Sequence, residues 1–244
     1  MSKARNFLVE IGTEELPPKA LRSLMDAFAE NLGSAIDDAR LEHGKIYRYA
    51  SPRRLAVLIE SLANDQEDLS TSQKGPPVSI AFDDDGKLTA AGKAFAKKCG
   101  VQAADLGRTS TDKGEWLCCD VVARGQAAAE LLPALIETAL AALPIPRRMR
   151  WGDGDAEFVR PVHWIVLLHG ATVIDANIMG IATGNESRGH RFMSSAPVTI
   201  AKASDYLSSL EKHGSVIADL DRRRTMVEDG VAAQAKAVGG HVVN

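Results

Sequence analysis

From Leu21 onward the apolar positions Leu24, Met25, Phe28, Leu32, Ala35, Ile36 and Ala39 recur at helical spacing, which predicts an amphipathic helix with one core-facing stripe. Before it, Phe7 to Ile11 is short and mostly apolar and runs into Gly12, Thr13, Glu14-Glu15 and Pro17-Pro18. That order predicts a strand, a loop and a helix start, with proline tolerated in the first turn. Ile46 to Ala50 and Leu55 to Ile59 form a second β-like pair around Ser51-Pro52-Arg53-Arg54, a turn or bulge because proline cannot donate to a ladder. Asn64 to Ser72 is polar and acidic and Gly75-Pro76-Pro77 follows, so 64–77 is expected to be a linker or long surface loop.

Thr89 to Lys98, rich in Ala and Lys and closed by Gly100, predicts a short helix. Asp112-Lys113-Gly114 predicts a hairpin turn into a strand over Trp116 to Val122 that closes at Arg124-Gly125. Gln126 to Leu143 predicts a helix with a kink at Pro133 and an end at Pro144 and Pro146. Val162 to Leu168 and Val173 to Ile181 are the most β-like runs, expected as neighbouring antiparallel strands around Gly170. Ala203 to Lys212 and Asp219 to Val238 are expected to be helical, the second opened by its Asp and the basic run Arg222-Arg223-Arg224.

Helices thus alternate with strand pairs and not with single strands. The expectation is an α+β fold of mixed, largely antiparallel sheet layers with packed helices. The expected organisation is an N-terminal α+β region over 1–218, with a candidate sub-boundary near 64–77, and a helical start of a following region over 219–244. No repeat of 20 to 50 residues is visible, which argues against solenoids and propellers.

With 45% hydrophobic and 25% charged residues, the 244-residue chain has ordinary globular composition. A net charge of -3 means that any nucleic-acid contact must come from a local patch. The polar, basic start and the lack of an apolar run of about 18 residues make a cytoplasmic address the expectation, without a leader or membrane partner. Cys99, Cys118 and Cys119 suit neither a disulfide framework nor a zinc knuckle and are expected as reduced, largely buried thiols.

The chain has no GxxxxGK[ST] phosphate loop, no GxGxxG after a strand, no GxSxG elbow and no HExxH helix. His163 and His169 have even spacing on one strand, but without a third ligand the expectation is one packed and one exposed histidine and no metal site. Glu14 and Glu15 are expected to serve the helix start electrostatically. Asp153, Asp155 and Glu157 are expected in a solvated turn.

Arginine-bearing turns are more suggestive. Arg53 and Arg54, then Arg147, Arg148 and Arg150, then Arg188, His190 and Arg191, sit beside Pro, Gly or an aromatic, as phosphate forks and base-stacking surfaces do. Over 145–191, however, six Lys and Arg face five Asp and Glu, so pairing with acidic residues is at least as good a reading for any single arginine.

Read in order, Phe7 to Pro18, Ser51-Pro52-Arg53-Arg54-Leu55-Ala56, Lys74-Gly75-Pro76, Thr111 to Trp116, Met149-Arg150-Trp151-Gly152, Phe158 to His163 and Arg188 to Phe192 resemble the β subunit of bacterial tetrameric glycyl-tRNA synthetase, colinearly over nearly the whole chain. The resemblance implies an assembly of two α and two β subunits that joins glycine to tRNA. ATP and Mg2+ would act at the partner α subunit, and no cofactor or catalytic residue would lie in this chain. Family β subunits are much longer, so the resemblance also implies an N-terminal fragment. Partners would be the α subunit and glycine tRNA, with no DNA. The eight arginine-turn residues then become candidate tRNA contacts, serving tRNA positioning and subunit assembly; the alternative is a protein-interaction scaffold without RNA contact. The region is also similar to the editing-type module of the phenylalanyl-tRNA synthetase β subunit, although no nucleophile with its base is recognisable.

Overall fold

The computed structural model describes residues 4–83, 86–111, 114–194 and 196–243. Strand β1 (Arg5–Thr13) is followed by helix α1 (Leu21–Asp38), strands β2 (Ile46–Ser51), β3 (Arg54–Leu62) and β4 (Leu69–Pro77), and helices α2 (Val78–Ala81) and α3 (Ala90–Cys99). Strands β5 (Gly107–Thr111) and β6 (Gly114–Ala123) lead into helix α4 (Ala128–Ala141). Next come β7 (Met149–Arg150), β8 (Glu157–Phe158), β9 (Val162–His169), β10 (Thr172–Val173), β11 (Asn177–Ile178), β12 (Ile181–Gly184), β13 (Glu186–Arg188) and β14 (Pro197–Thr199). Helices α5 (Tyr206–Gly214) and α6 (Leu220–Ala237) close the chain. The fold is α+β, as expected. It divides into two compact units, 67–125 and the remainder.

In the larger unit the main sheet runs β11-β12-β9-β1-β3-β2, with β10 also on β9. All its pairings are antiparallel except β12 with β9. Helices cover both faces of the centre, so β1 is apolar almost throughout. Phe7, Val9 and Ile11 point into one core with α1 and α4, and Leu8 points into the other with Tyr206 and Leu210 of α5. Helix α1 buries Leu21, Leu24, Met25, Phe28, Ala29, Leu32, Gly33 and Ile36, but Ala20 gives it no side-chain cap. Burying one Leu or Phe is worth about 1.5–3 kcal/mol, against roughly 1 kcal/mol for a cap, so the apolar stripe holds this helix.

The smaller unit is a three-stranded antiparallel sheet, β4-β6-β5, on which α2 and α3 close a core of Ala81, Phe95, Leu117 and Cys119. Helix α3 follows its signals: Thr89 caps it and Gly100 ends it with φ 69°. Asp112 and Lys113 of the expected hairpin turn lie outside the described residues.

Three local expectations are corrected. The polar run 64–77 is not a loop along its length, since β4 pairs with β6 from Leu69 and register shifts only between Lys74 and Pro77. Its side chains are mostly exposed, so an edge ladder formed by backbone hydrogen bonds, and not an apolar pattern, makes the strand. Val173 to Ile181 is not one strand either. Met179 and Gly180, with φ 52° and 80°, turn the chain between β11 and β12, and β12 returns parallel to β9. Pro17 and Pro18 lie ahead of α1, in the approach to its turn and not in the helix.

Candidate functional site

On the second face of the main sheet, Gly12 pairs with Arg54 on one side and Trp164 on the other. A Cβ at Gly12 would lie 1.9 Å from Trp164 Cε2, so the missing side chain is what lets the indole lie across β1. Two residues back on this face sits Glu10, fully buried. Its carboxylate accepts from Trp164 Nε1, Ser187 Oγ and Tyr206 Oη, each at 2.5 Å, and from Arg54 Nη1 at 3.3 Å. Arg54 also donates to Ser51 Oγ at 3.0 Å, Ser187 Oγ at 3.1 Å and the Arg188 carbonyl at 2.5 Å. Burial, reinforced by the Glu10 carboxylate, pushes the Tyr206 phenol well above its ordinary value. The network satisfies its own charges and ties β1, β3, β9, β13 and α5 together.

In front of it lies a cleft of about 250 Å3. Backbone bonds from Thr13 N to Arg53 O (2.8 Å), Leu16 N to Pro52 O (2.6 Å) and Glu14 N to Pro161 O (3.0 Å) fix its lower rim. The opposite rim is the turn 189–194, held by His190 N to Gly214 O at 2.7 Å and Ser194 Oγ to His213 O at 3.0 Å. At Gly189 an added Cβ would lie 2.5 Å from Ser194 and 2.7 Å from the Gly214 carbonyl, so the turn closes tightly on the end of α5. Four arginines and one carboxylate line the cleft: Arg53, Arg54, Arg191 and Arg223 against Glu15.

These guanidiniums are not equivalent. Arg54 is occupied by Glu10, and Arg223 Nη1 donates to the carbonyls of Ala50 (2.9 Å) and Ile217 (2.5 Å). Arg53 faces Glu14 at 3.9 Å and Arg191 faces Glu15 at 3.8 Å, both at the edge of ion-pair range. The Arg191 pair is exposed and worth about 0–1 kcal/mol, and the Arg53 pair, although Arg53 is partly buried, is too long for a strong bond, so an incoming anion can displace either. The Arg53 Nε is buried without a hydrogen-bond partner, and its guanidinium lies 5.7 Å from the Trp164 ring. Phe192 is 88% exposed at the cleft, with its ring 6.2 Å from that of His190.

The structure therefore sorts the arginine-turn residues. Arg53, His190 and Arg191 meet at the cleft. Arg54 is corrected: at 2% exposed and with its donors on protein acceptors, it is a core residue and not a surface phosphate fork. Arg188 is exposed and stacks 5.4 Å from Trp164, lining a neighbouring groove. Arg147 and Arg150 are exposed near the β7–β8 hairpin, Arg150 facing Asp155 at 3.6 Å. Arg148 is corrected in part, because Nη2 donates to the Ala141 carbonyl at 2.6 Å and closes the end of α4. Glu14 and Glu15 do not serve the helix start; they face His163 (2.9 Å), Arg53 and Arg191.

Pattern reading missed Glu10, Arg160, Phe192 and Arg223. Glu10 carried a signal as a lone carboxylate inside an apolar strand, and Phe192 and Arg223 stood in segments already singled out, the aromatic-bearing arginine turn and the basic run, without being named as site residues. Arg160 joins the cleft loop to the β7–β8 hairpin, with Nε donating to the Glu15 carbonyl at 3.2 Å and Nη1 to Met149 Sδ at 3.1 Å. His169 is buried and donates to the Leu62 carbonyl while His163 is exposed, as expected. Among the described residues no three His, Cys, Asp or Glu could hold a metal ion, and no helix is long and apolar enough to cross a membrane.

A family model described as glycyl-tRNA synthetase beta subunit matches residues 7–244. The glycine–tRNA ligase beta subunit of Edwardsiella ictaluri is 48% identical over 236 residues, which cover 97% of this chain and 34% of that protein. The corresponding subunits of Enterobacter sp. strain 638 and Marinobacter nauticus are each 47% identical, over 97% and 98% of this chain and 34% and 35% of theirs. The chain thus spans about a third of the length of the curated relatives it matches.

Proposed function

The chain belongs to the glycyl-tRNA synthetase β-subunit family, and on that premise we propose that it positions tRNA and supports subunit assembly in the ATP-dependent joining of glycine to tRNA. The observation that carries this reading is the pair of loosely held guanidiniums, Arg53 and Arg191, on one cleft beside an exposed aromatic ring. Such forks suit phosphate oxygens, and holding a tRNA phosphate there raises the effective concentration of the reacting end at a partner's site. The exposed Arg188 of the neighbouring groove and Arg147 and Arg150 of the β7–β8 hairpin are further candidate phosphate contacts on this reading, and Arg160 links the cleft to that hairpin.

The donor set of the cleft does not fit a Mg2+–nucleotide: Glu15 faces Arg191, and the neighbouring Glu14 faces His163 and Arg53, so both carboxylates face cationic or histidine side chains. On the proposed reading ATP and Mg2+ act at the α subunit, and no step of adenylate chemistry is assigned to these residues. The test is Arg53→Gln with Arg191→Gln in the full-length α/β enzyme. The expected result is a raised KM for tRNA, a flatter salt dependence of tRNA binding, and an unchanged KM for ATP. An unchanged KM for tRNA rejects the assignment.

A scaffold reading is favoured by α6, which buries none of its residues and exposes Met226, Val227 and Val231. Val227→Lys with Val231→Lys should loosen α/β co-purification without changing tRNA affinity if that face docks protein.

A further inference from the structure

We propose that the cleft takes one unpaired nucleotide of the bound RNA, its phosphate on Arg53 and Arg191 and its base stacked on Phe192 beside His190. This deepens the tRNA-positioning reading and rests on it. Three observations point to an unpaired nucleotide and not to a duplex backbone.

The first is presentation. Phe192 is 88% exposed and Met193 70% exposed, yet they do not hang on a loose tip. Met193 N and Ser194 N both donate to the His190 carbonyl, at 3.2 and 3.0 Å, and the turn is anchored to α5 at both ends. A turn closed by these hydrogen bonds that holds an aromatic face in water is pre-organised for a flat partner. The Phe192 N–H donates to His190 Nδ1 at 3.3 Å, which leaves Nε2–H of the neutral ring as a donor for a base edge or phosphate.

The second is size. About 250 Å3 falls below the roughly 300–1,000 Å3 of drug-sized ligand pockets and suits one unit of a chain. Bases of single strands and ends are splayed out and stacked on aromatic rings, whereas paired bases keep their faces covered. The third is unspent donor capacity. Arg53 Nη2 makes only a 3.9 Å ion pair, to Glu14, so a phosphodiester oxygen that reaches the outer guanidinium nitrogens breaks no strong bond.

The experiment uses the full-length α/β enzyme and its whole tRNA, with binding measured at several salt concentrations. Phe192→Ala is expected to weaken tRNA binding roughly 5- to 150-fold with an unchanged salt slope, because a stack and no charge is lost. Phe192→Trp should bind within a few-fold of the parent. Arg53→Gln with Arg191→Gln should lower the salt slope by about 1 to 2. If Phe192→Ala binds tRNA as tightly as the parent while the arginine variant weakens, the nucleotide assignment falls and tRNA positioning stands. If neither variant changes binding, both fall. If Phe192→Ala releases the α subunit on size exclusion with tRNA affinity intact, the ring docks protein and the nucleotide assignment is overturned.

Discussion

Replacing Glu10 with alanine should be among the most damaging single changes in the chain. Glu10 is fully buried, and its carboxylate accepts from Trp164, Ser187, Tyr206 and Arg54. Arg54 is itself 2% exposed, so Glu10→Ala strands a guanidinium in the core. Breaking one partner out of a buried pair costs about 3–5 kcal/mol, and the orphaned Tyr206 and Trp164 donors move the expected loss to the upper end of that range. Against a total stability of about 5–15 kcal/mol, this is a third or more. For a chain of this size each kcal/mol shifts Tm by roughly 2–4 °C, so the change should lower Tm by about 6–20 °C. Urea unfolding followed by near-UV circular dichroism gives the free energy. The discriminating arm is Glu10→Leu with Arg54→Met, which removes both charges and should recover the part of the loss due to the stranded guanidinium, while Trp164, Ser187 and Tyr206 still lack their acceptor. A cost below about 1 kcal/mol for Glu10→Ala, or a double variant no more stable than Glu10→Ala, would refute the reasoning.

Gly12→Ala should displace the Trp164 indole from β1 and break its bond to Glu10, costing about 2–5 kcal/mol as overpacking plus a stranded acceptor; an unaltered tryptophan near-UV signal with an unaltered urea midpoint would contradict this. His169 has its pKa lowered by burial. The unfolded chain therefore binds this proton first, and stability is full above the unfolded value of about 6.5 and falls as pH drops from there through the lower folded value. His169→Gln should flatten that acid slope in urea midpoints measured from pH 7 to 5, and an identical slope would show that other groups set it. All three tyrosines are raised, Tyr49 to about 12 and Tyr47 and Tyr206 also upward. Alkaline titration of the folded chain should therefore show the Tyr49 and Tyr206 share of the tyrosinate absorbance well above the midpoint near 10 of the urea-unfolded chain.

The elements that were legible are those in which burial or a cap leaves a local mark. The α1 stripe repeats at helical spacing because one side packs on the sheet. Asp219 announces α6 because its carboxylate accepts from the Asp221 and Arg222 amides, each at 3.0 Å. β4 left no such mark, since an exposed edge strand is specified by its partner's backbone. The site was half legible for a related reason. Arg53 and Arg54 are adjacent and chemically alike, but Arg54 opens β3 on the face of Glu10 while Arg53 remains in the preceding turn. Which guanidinium turns inward is decided by Gly12, Trp164 and Ser187, which lie far away in the chain. The importance of Phe192 was equally hidden, because composition marks an aromatic but not whether a turn holds it out in solvent.

The chain leaves the larger unit at Gln66 and rejoins it at Gln126, where the two passing strands of chain are hydrogen-bonded to each other. Gln66 N donates to the Gln126 carbonyl at 2.9 Å, Gln126 N returns a bond to Gln66 Oε1 at 3.1 Å, and Ala128 N reaches the Asn64 carbonyl at 2.7 Å. Residues 67–125 are thus an insertion whose two ends meet, so that the path of the chain through the main sheet would be the same with the two ends joined directly.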